Sequence, residues 1–438
     1  MPHLDVDDVG VVSTAIPDST TSPSRVRDPV ATLKQILTLL TESQKWIRKF
    51  RGKYIVVKLG GSTLCDDAAV GNVLSDVALI RVLGGKVVLV HGGSKDLSQK
   101  MREEGHEPRF VEGRRYTDEK TLRIAKEVLG TISKTLATKL TELCSELPEH
   151  IVSQGRSLSR LLKGCSCEAL QQLIYDHLGK LTAELPKLCE ELRASGLEKT
   201  CHSLRQVFDS LKTVEKPNQL NQSVSVEFLV RQVDKIGAAF ARDVSERRHV
   251  GVPLLPSRDR LFLRTERMMF TTADGRQTDL GFVGRVVGVD ETTMKEVFLR
   301  GGLPVIPSLG YTTLPRRNVR RRYQLLNVNA DTAAANIAAL LHAEKLVFVT
   351  DVPGILEDRH APESLYTHIT ASACRELVRR KVIASGMVPK VDAALEALNS
   401  GVPKVHIVDC RSRHCLLLEI YSNGGAGTEI VKDEEGAD

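Results

Sequence analysis

The 438-residue sequence predicts an α/β fold: a mainly parallel central sheet sandwiched by helices, interrupted by an all-helical insertion. Short apolar strands alternate with helix-length stretches. The strands carry little polar alternation, as expected when both faces are covered. The block from about 144 to 250 breaks this rhythm and has almost no β signal.

Taken in order, residues 31 to 50 read as an amphipathic helix, with Leu33, Ile36, Leu37, Leu40, Ile47 and Phe50 at three- and four-residue steps. Tyr54 to Lys58 is a β-rich run that ends in Gly60-Gly61, a strand followed by a tight turn. A helical stretch reaches Leu83, Gly84-Gly85 breaks it, and Lys86 to Val90 forms a second strand ending in His91-Gly92-Gly93. Farther on, the alanine-rich helix Asp331 to Leu341 feeds the strand Leu346 to Thr350. Val391 to Asn399 feeds Val405 to Val408 in the same way.

Inside the interrupting block, Ile174, Leu178, Leu181, Leu185, Leu188 and Leu192 alternate four- and three-residue steps, the seam of packed helices. Pro186 lies in that seam and predicts a kink or break near Glu184. Further stripes run through Leu204, Val207, Phe208 and Leu211, and through Phe228, Leu229, Val233 and Ile236, after a polar link from Lys216 to Ser223. Such stripes serve helix packing or contact with a protein partner.

Composition narrows the function classes. Hydrophobic residues make up 42% and charged residues 26%, and a net charge of +6 fits an enzyme of anionic metabolites rather than a nucleic-acid binder. No apolar run approaches the ~20 residues of a membrane span, and the first thirty residues show no secretory or transit pattern. They read as a disordered tail, and a cytoplasmic location is expected. Nine cysteines without a CxxC pair fit a reducing compartment. Cys165, Cys167, Cys189, Cys201 and His202 match no zinc spacing, so no metal site is assigned.

Two glycine-rich turns that directly follow strands, Gly60-Gly61 and Gly92-Gly93, can bring backbone N–H groups against an anion. Neither belongs to a Walker A loop or a GxGxxG turn, so a phosphate site here belongs to another kinase class. Lys58 ends a buried-type strand, and a compact ammonium offsets charge on a transferring phosphoryl group. Asp331 stands where a helix N-cap would, so capping alone could account for it. Before it, Asn327 and Asn329 alternate on an extended segment and so point the same way, toward a polar ligand. Arg316-Arg317 and Arg320-Arg321-Arg322 lack interleaved aromatics and read as an exposed hairpin tip.

Six motifs occur in order: Lys58-Leu-Gly-Gly61, His91-Gly-Gly93, Gly113-Arg-Arg-Tyr-Thr-Asp118, Asn327-Val-Asn-Ala-Asp331, Thr350-Asp-Val-Pro-Gly-Ile-Leu356 and Ser385-Gly-Met-Val-Pro-Lys390. The series resembles the N-acetylglutamate kinase branch of the amino-acid kinase family over about residues 31–143 and 260–432. The resemblance implies that Lys58 and Lys390 hold the phosphoryl group in flight, with Asp331 orienting the two ammoniums. It implies ATP with Mg2+ held mainly by the phosphates. Gly60, Gly61, Gly92 and Gly93 then cradle phosphate, and Thr350, Asp351 and Gly354 line the nucleotide site. Arg115, Asn327 and Asn329 hold the acidic substrate, Arg115 through a bidentate pair. No acid–base residue is needed, because a carboxylate is already nucleophilic at neutral pH.

The expected divisions are a tail (1–30), an N-terminal helix (31–50), an acid-substrate lobe (51–143 and 251–310), the insertion (144–250) and a nucleotide lobe (311–438). Three departures stand out: Ser94 replaces a usual third glycine, Ser133 replaces a usual asparagine, and the usual glycine-rich pocket segment is not recognisable between Val252 and Arg276. The helix before Lys58, with His414, Glu419 and Gly427, resembles arginine-inhibited members in which that helix interlaces dimers into a hexameric ring, so a homo-oligomer, dimer or hexamer, is expected. A related kinase of another acylated acidic amino acid, and a non-catalytic arginine-sensing scaffold, are the competing readings.

Overall fold

The computed structural model of the protein describes residues 43–433, apart from 44, 164–185, 187–188, 191, 194–195, 213–225, 246–249, 257–261, 273–274, 315–322 and 384. Most of the 31–50 helix, the seam from Ile174 to Leu185, the link at 216–223, Cys165, Cys167 and the arginine run at 316–322 therefore lie outside the described residues.

β1 (Tyr54–Leu59) leads through Gly60-Gly61 to α1 (Asp67–Val82), and β2 (Lys86–His91) leads through Gly92-Gly93 to α2 (Ser94–Glu103). A small hairpin, β3 (Phe110–Val111) and β4 (Arg114–Arg115), precedes α3 (Glu119–Lys163), a helix of 45 residues. Then come α4 (Glu198–Lys212), α5 (Val226–Ser245) and β5 (Val250–Pro253). A long hairpin of β6 (Leu263–Thr271) and β7 (Gln277–Val289) is followed by α6 (Glu291–Leu299), β8 (Gly302–Pro307), β9 (Leu309–Thr313) and β10 (Tyr323–Asn327). The C-terminal part supplies α7 (Ala330–Leu340), β11 (Lys345–Thr350), β12 (His368–Thr370), α8 (Ala371–Arg379) and α9 (Val388–Asn399). It closes with β13 (Lys404–Asp409), α10 (Cys415–Tyr421) and β14 (Thr428–Val431).

Eight strands form one sheet in the order β12-β14-β13-β11-β1-β2-β8-β5, parallel throughout except between β13 and β14. The mainly parallel sheet sandwiched by helices that the sequence predicts is the one observed. β6, β7, β9 and β10 close a small barrel that the sequence did not announce.

Strand alternation divides the core into two layers. Val56 and Val88 face α7 and α9, whereas Ile55, Val57 and Leu59 face α1 and α10. This period of two sets up the site: Lys58 shares the α7 side with Val56, and His91 shares the α3 side with Leu89. On α7, Ala333, Ala334, Ala335 and Ala338 are fully buried, and their small side chains let the helix lie close on the sheet.

The first half of α3 belongs to the core through Leu136, Ala137 and Leu140. Its second half packs along α5, which packs against α4. Asp243 of α5 fastens the start of α4, accepting from Lys199 N (3.2 Å), Thr200 N (2.8 Å) and Thr200 Oγ1 (2.7 Å). Leu147, Val244 and Val82 meet in one cluster where these helices touch α1. Among the described residues no helix is long and apolar enough to cross a membrane.

Candidate active site

The two glycine turns converge. A side chain built at Gly61 would point at the Ser94 backbone nitrogen, 3.9 Å away, so the turn after β1 faces the first residue of α2. α2 has Gly93 at its N-cap and no capping side chain, which leaves its first-turn N–H groups to an outside acceptor. A Cβ would be crowded at one glycine of each turn: on Gly60 it would lie 3.1 Å from Val349 O, and on Gly92 3.1 Å from Ala330 Cβ.

Beneath these turns Asp331 receives two ammoniums. Lys58 Nζ lies 2.5 Å from Oδ1 and Lys390 Nζ 3.4 Å from Oδ2. The sequence left open that Asp331 caps α7. The structure gives that task to Asn329, whose Oδ1 accepts from Asp331 N (2.9 Å) and Thr332 N (3.1 Å). Freed from capping, the Asp331 carboxylate turns to the lysines. Burial works to raise its carboxyl, yet Lys58 and Lys390 together hold it below the ordinary carboxylate value. Burial pushes the Lys58 ammonium down, and Asp331 opposes that push.

A cavity of about 310 Å³ opens beside this triad, with Gly92, Gly93, Ser94, Arg115, Asn327 and Asn329 among its walls. Asn327 Nδ2 donates to Thr117 Oγ1 at 3.2 Å, which fixes its amide at the rim. Arg115 is 8% exposed and stacks 4.7 Å from the Phe110 ring centroid. Its Nη2 donates to Ser94 O (3.0 Å), Ser94 Oγ (3.1 Å) and Ser98 Oγ (2.8 Å), while Nη1 reaches Met101 Sδ (3.2 Å). Burial brings its pKa down to about 10. The cavity also takes Val283 and Arg285 from β7, which the sequence did not single out.

His91 stands behind the second turn. Gly92 O can only accept, so Nδ1 carries the proton of that 3.0 Å bond and Nε2 accepts from the Ser133 hydroxyl at 2.6 Å. Burial holds His91 neutral, with its pKa lowered to about 4. Ser133 therefore supports the turn from α3.

Thr350 and Asp351 sit at the end of β11, beside the first turn: Gly60 N donates to Val349 O at 3.1 Å. Thr350 Oγ1 donates to Asp351 Oδ1 at 3.2 Å. Burial tends to raise the Asp351 carboxyl, but bonds from Ser62 and Thr350 and the nearby Lys95 hold it low. Gly354 has a φ of 151°, and a Cβ there would meet Thr428 Oγ1 at 2.4 Å, so only glycine fits.

The C-terminal residues divide. Glu419 is buried and accepts from Gly427 N (2.9 Å), Ala426 N (2.6 Å) and His406 Nδ1 (2.5 Å), so Glu419 and Gly427 do meet. His414 is elsewhere, paired through Nδ1 with Asp76 Oδ1 of α1 at 3.0 Å. Sequence reasoning missed Lys345, whose Nζ lies 5.0 Å from the Phe50 ring and 6.0 Å from that of Trp46, beside Glu419 O at 3.5 Å. Burial lowers its pKa to about 8. Among the described residues no cluster of three or more His, Cys, Asp or Glu could hold a metal ion.

The chain is similar to the acetylglutamate kinase of Methanothermobacter thermautotrophicus, 29% identical over 397 residues that cover 90% of this chain and 99% of the relative. It is equally similar to that of Aquifex aeolicus, 29% over 394 residues, covering 90% and 96%. Its fold is like that of N-acetylglutamate synthase from Neisseria gonorrhoeae, solved with coenzyme A and L-arginine, with a TM-score of 0.54 at 21% identity. That likeness covers 91% of this chain and spans 65% of the synthase chain. The amino acid kinase family profile matches residues 53–409, and with this sheet and these paired glycine turns the chain belongs to the amino acid kinase family.

Proposed function

We propose that the protein transfers the γ-phosphoryl group of ATP to the side-chain carboxylate of N-acetyl-L-glutamate, a carboxyl-group phosphotransfer of arginine biosynthesis. The observation that carries this reading is the convergence of Lys58 and Lys390 on Asp331, below two facing glycine turns and beside a cavity walled by Arg115. A carboxylate oxygen attacks the γ-phosphorus, the bond to the β-phosphate oxygen breaks, and an acyl phosphate and ADP leave. No proton moves. The chain's part is alignment and charge: the ammoniums offset the oxygens of the group in flight, and Asp331 keeps them apart and aimed.

Mg2+ would travel with the nucleotide on the phosphate oxygens, because the one carboxylate central to the site is already shared by two ammoniums. Bound there, it neutralises phosphate charge. Thr350, Asp351 and Gly354 serve the nucleotide; Arg115, Asn327 and Asn329 serve the acid. ADP release, coupled to a reporter reaction, across a panel of N-acylated glutamates, aspartates and aminoadipates tests the reading. Fastest turnover on N-acetyl-L-glutamate, with an acyl phosphate trapped by hydroxylamine, is expected. A clear preference for the aminoadipate derivative, or no ADP release at all, overturns it.

Arginine as an effector has one specific observation in its favour. Trp46 and Phe50, from the N-terminal helix, stack at 5.7 Å over Lys345, next to Glu419 and Gly427. In this reading Glu419 receives the guanidinium, His414 anchors the adjacent helix, and the effector acts within a homo-oligomer. Inhibition by L-arginine that Trp46→Ala abolishes is the expected result.

A further inference from the structure

Ser94 takes part in two neighbourhoods at once. Its backbone nitrogen faces the Gly61 turn, where phosphate is cradled. Its carbonyl and hydroxyl both accept from Arg115 Nη2, at 3.0 and 3.1 Å. Ser98, one helical turn later, donates its hydroxyl proton to Ser94 O at 2.9 Å and so turns its lone pairs to the same Nη2, 2.8 Å away. Three oxygens thus fix one nitrogen of a buried guanidinium, with Met101 Sδ and the Phe110 ring closing two more sides.

We propose that Ser94 and Ser98 are positioning residues that aim Arg115 at the acid, and that Ser94 makes acid affinity depend on bound nucleotide. The proposal rests on the reading that Arg115 holds the acid's free carboxylate. With the two hydrogens of Nη2 committed to these three oxygens, Nε–H and the second hydrogen of Nη1 are the donors left for a carboxylate. Holding Nη2 in place sets the plane in which a carboxylate must arrive, so the ordering of a long side chain is complete before the acid binds. Phosphates seated on the first turn of α2 would also fix Ser94, and with it Arg115. Coupling of this kind is reciprocal, so acid and nucleotide each tighten the other.

The test is calorimetric titration of the full chain with N-acetyl-L-glutamate, with and without Mg2+ and a non-hydrolysable ATP analogue, beside steady-state kinetics. Wild type should bind the acid roughly fivefold or more tightly when the analogue is present. Ser98→Ala and the double variant Ser94→Gly/Ser98→Ala should weaken acid binding by about tenfold, as expected for loss of hydrogen bonds to a charged group. The double variant should also lose the dependence on nucleotide and, by the same reciprocity, the acid should no longer tighten binding of the ATP analogue. Ser98→Thr, which keeps the hydroxyl, should restore affinity. Wild-type acid affinity and coupling in a folded double variant overturn the proposal alone, provided Arg115→Ala abolishes acid binding. If Arg115→Ala leaves acid binding intact, the acid does not sit on Arg115, and both the reading and the proposal fall. Should the double variant unfold, Ser98→Ala alone decides by the same criteria.

Discussion

Lys58 Nζ lies 2.5 Å from Asp331 Oδ1, an ion pair that joins the penultimate residue of β1 to the first turn of α7. Strand periodicity puts Lys58 on that side of the sheet, and the Asn329 cap leaves the carboxylate available to it. Lys390 then reaches the other oxygen from α9. The triad is therefore assembled by three separate segments that meet only in the folded chain.

Lys390→Ala should lower kcat by roughly a hundred- to a thousandfold, the usual cost of about 2.7–4 kcal/mol for one lost electrostatic donor, while KM for ATP changes little. Lys58→Ala should do the same and also lower the thermal transition. Its side chain is 5% exposed, and breaking a buried ion pair costs roughly 3–5 kcal/mol. Steady-state kinetics and thermal melts on the two variants check this split. Near-wild-type turnover in either would remove the triad from the chemistry.

Stability should depend on pH through His91. Its pKa is about 4 in the folded chain against 6.5 for the ordinary imidazole, so between those values the unfolded chain binds the extra proton. Its contribution is fully present above pH 6.5 and is lost as pH falls toward 4, by about 3 kcal/mol in all. His406, also lowered by burial, acts in the same direction, whereas His414, raised chiefly by its bond to Asp76, acts oppositely. Denaturant titrations at several pH values should therefore show a flatter acid limb for His91→Asn than for wild type, whatever the constant offset between them. Parallel curves would mean that the folded chain accommodates a charged His91.

Two glycines should separate fold from function. Gly251→Ala puts a Cβ 2.5 Å from Ala137 O and 2.6 Å from Ala137 Cα, backbone atoms of α3 that cannot step aside. Overpacking of this kind costs roughly 1–3 kcal/mol, so its thermal transition should fall. Gly61→Ala meets nothing nearer than Ser94 N at 3.9 Å, so the fold should hold. Its methyl group, however, enters the space between the two glycine turns, and, if these cradle phosphate as proposed, KM for ATP should rise. A stable Gly251→Ala would show that β5 can move away from α3.

What the sequence disclosed follows from how local each signal is. β1, β2, β11 and β13 were legible because strands buried on both faces are continuous apolar runs, and their strand-end lysine and glycines could be placed at once. Asp331 was ambiguous because Asn329 and Asp331 are both able to cap, and only the φ and ψ of residue 329 (−63° and 130°) decide which one does. The contacts of Arg115 with Ser94 and Ser98 were invisible, since they arise when the β3–β4 hairpin folds onto α2. His414 and Glu419 are five residues apart, but His414 has a φ of 58° and turns away to Asp76, which spacing alone does not reveal. The barrel hairpin at 263–289 was hidden by its exposed polar face: Arg264 and Glu266 alternate with buried Leu263 and Thr265.

Removal of the long helical excursion tests how much of the chain the kinase site needs. The residues of α3 up to Leu140 line the core, and Ser133 supports His91, so a deletion must begin beyond them. Leu147 and Val244 touch in one cluster with Val82, which places the two ends of the excursion side by side. Replacing residues 150–243 with a short Gly/Ser linker should thus join neighbouring points without straining β5 or the sheet. The excised part carries its own fastening, the Asp243 cap on α4. We expect a folded core whose KM for ATP is close to wild type. KM for the acid should rise, because α3 carries Leu129 of the cavity wall and α5 braces the far half of that helix. Thermal melts and both KM values measure the outcome. An unfolded product would make the excursion part of the main core, and wild-type KM values for both substrates would leave partner binding as its remaining role.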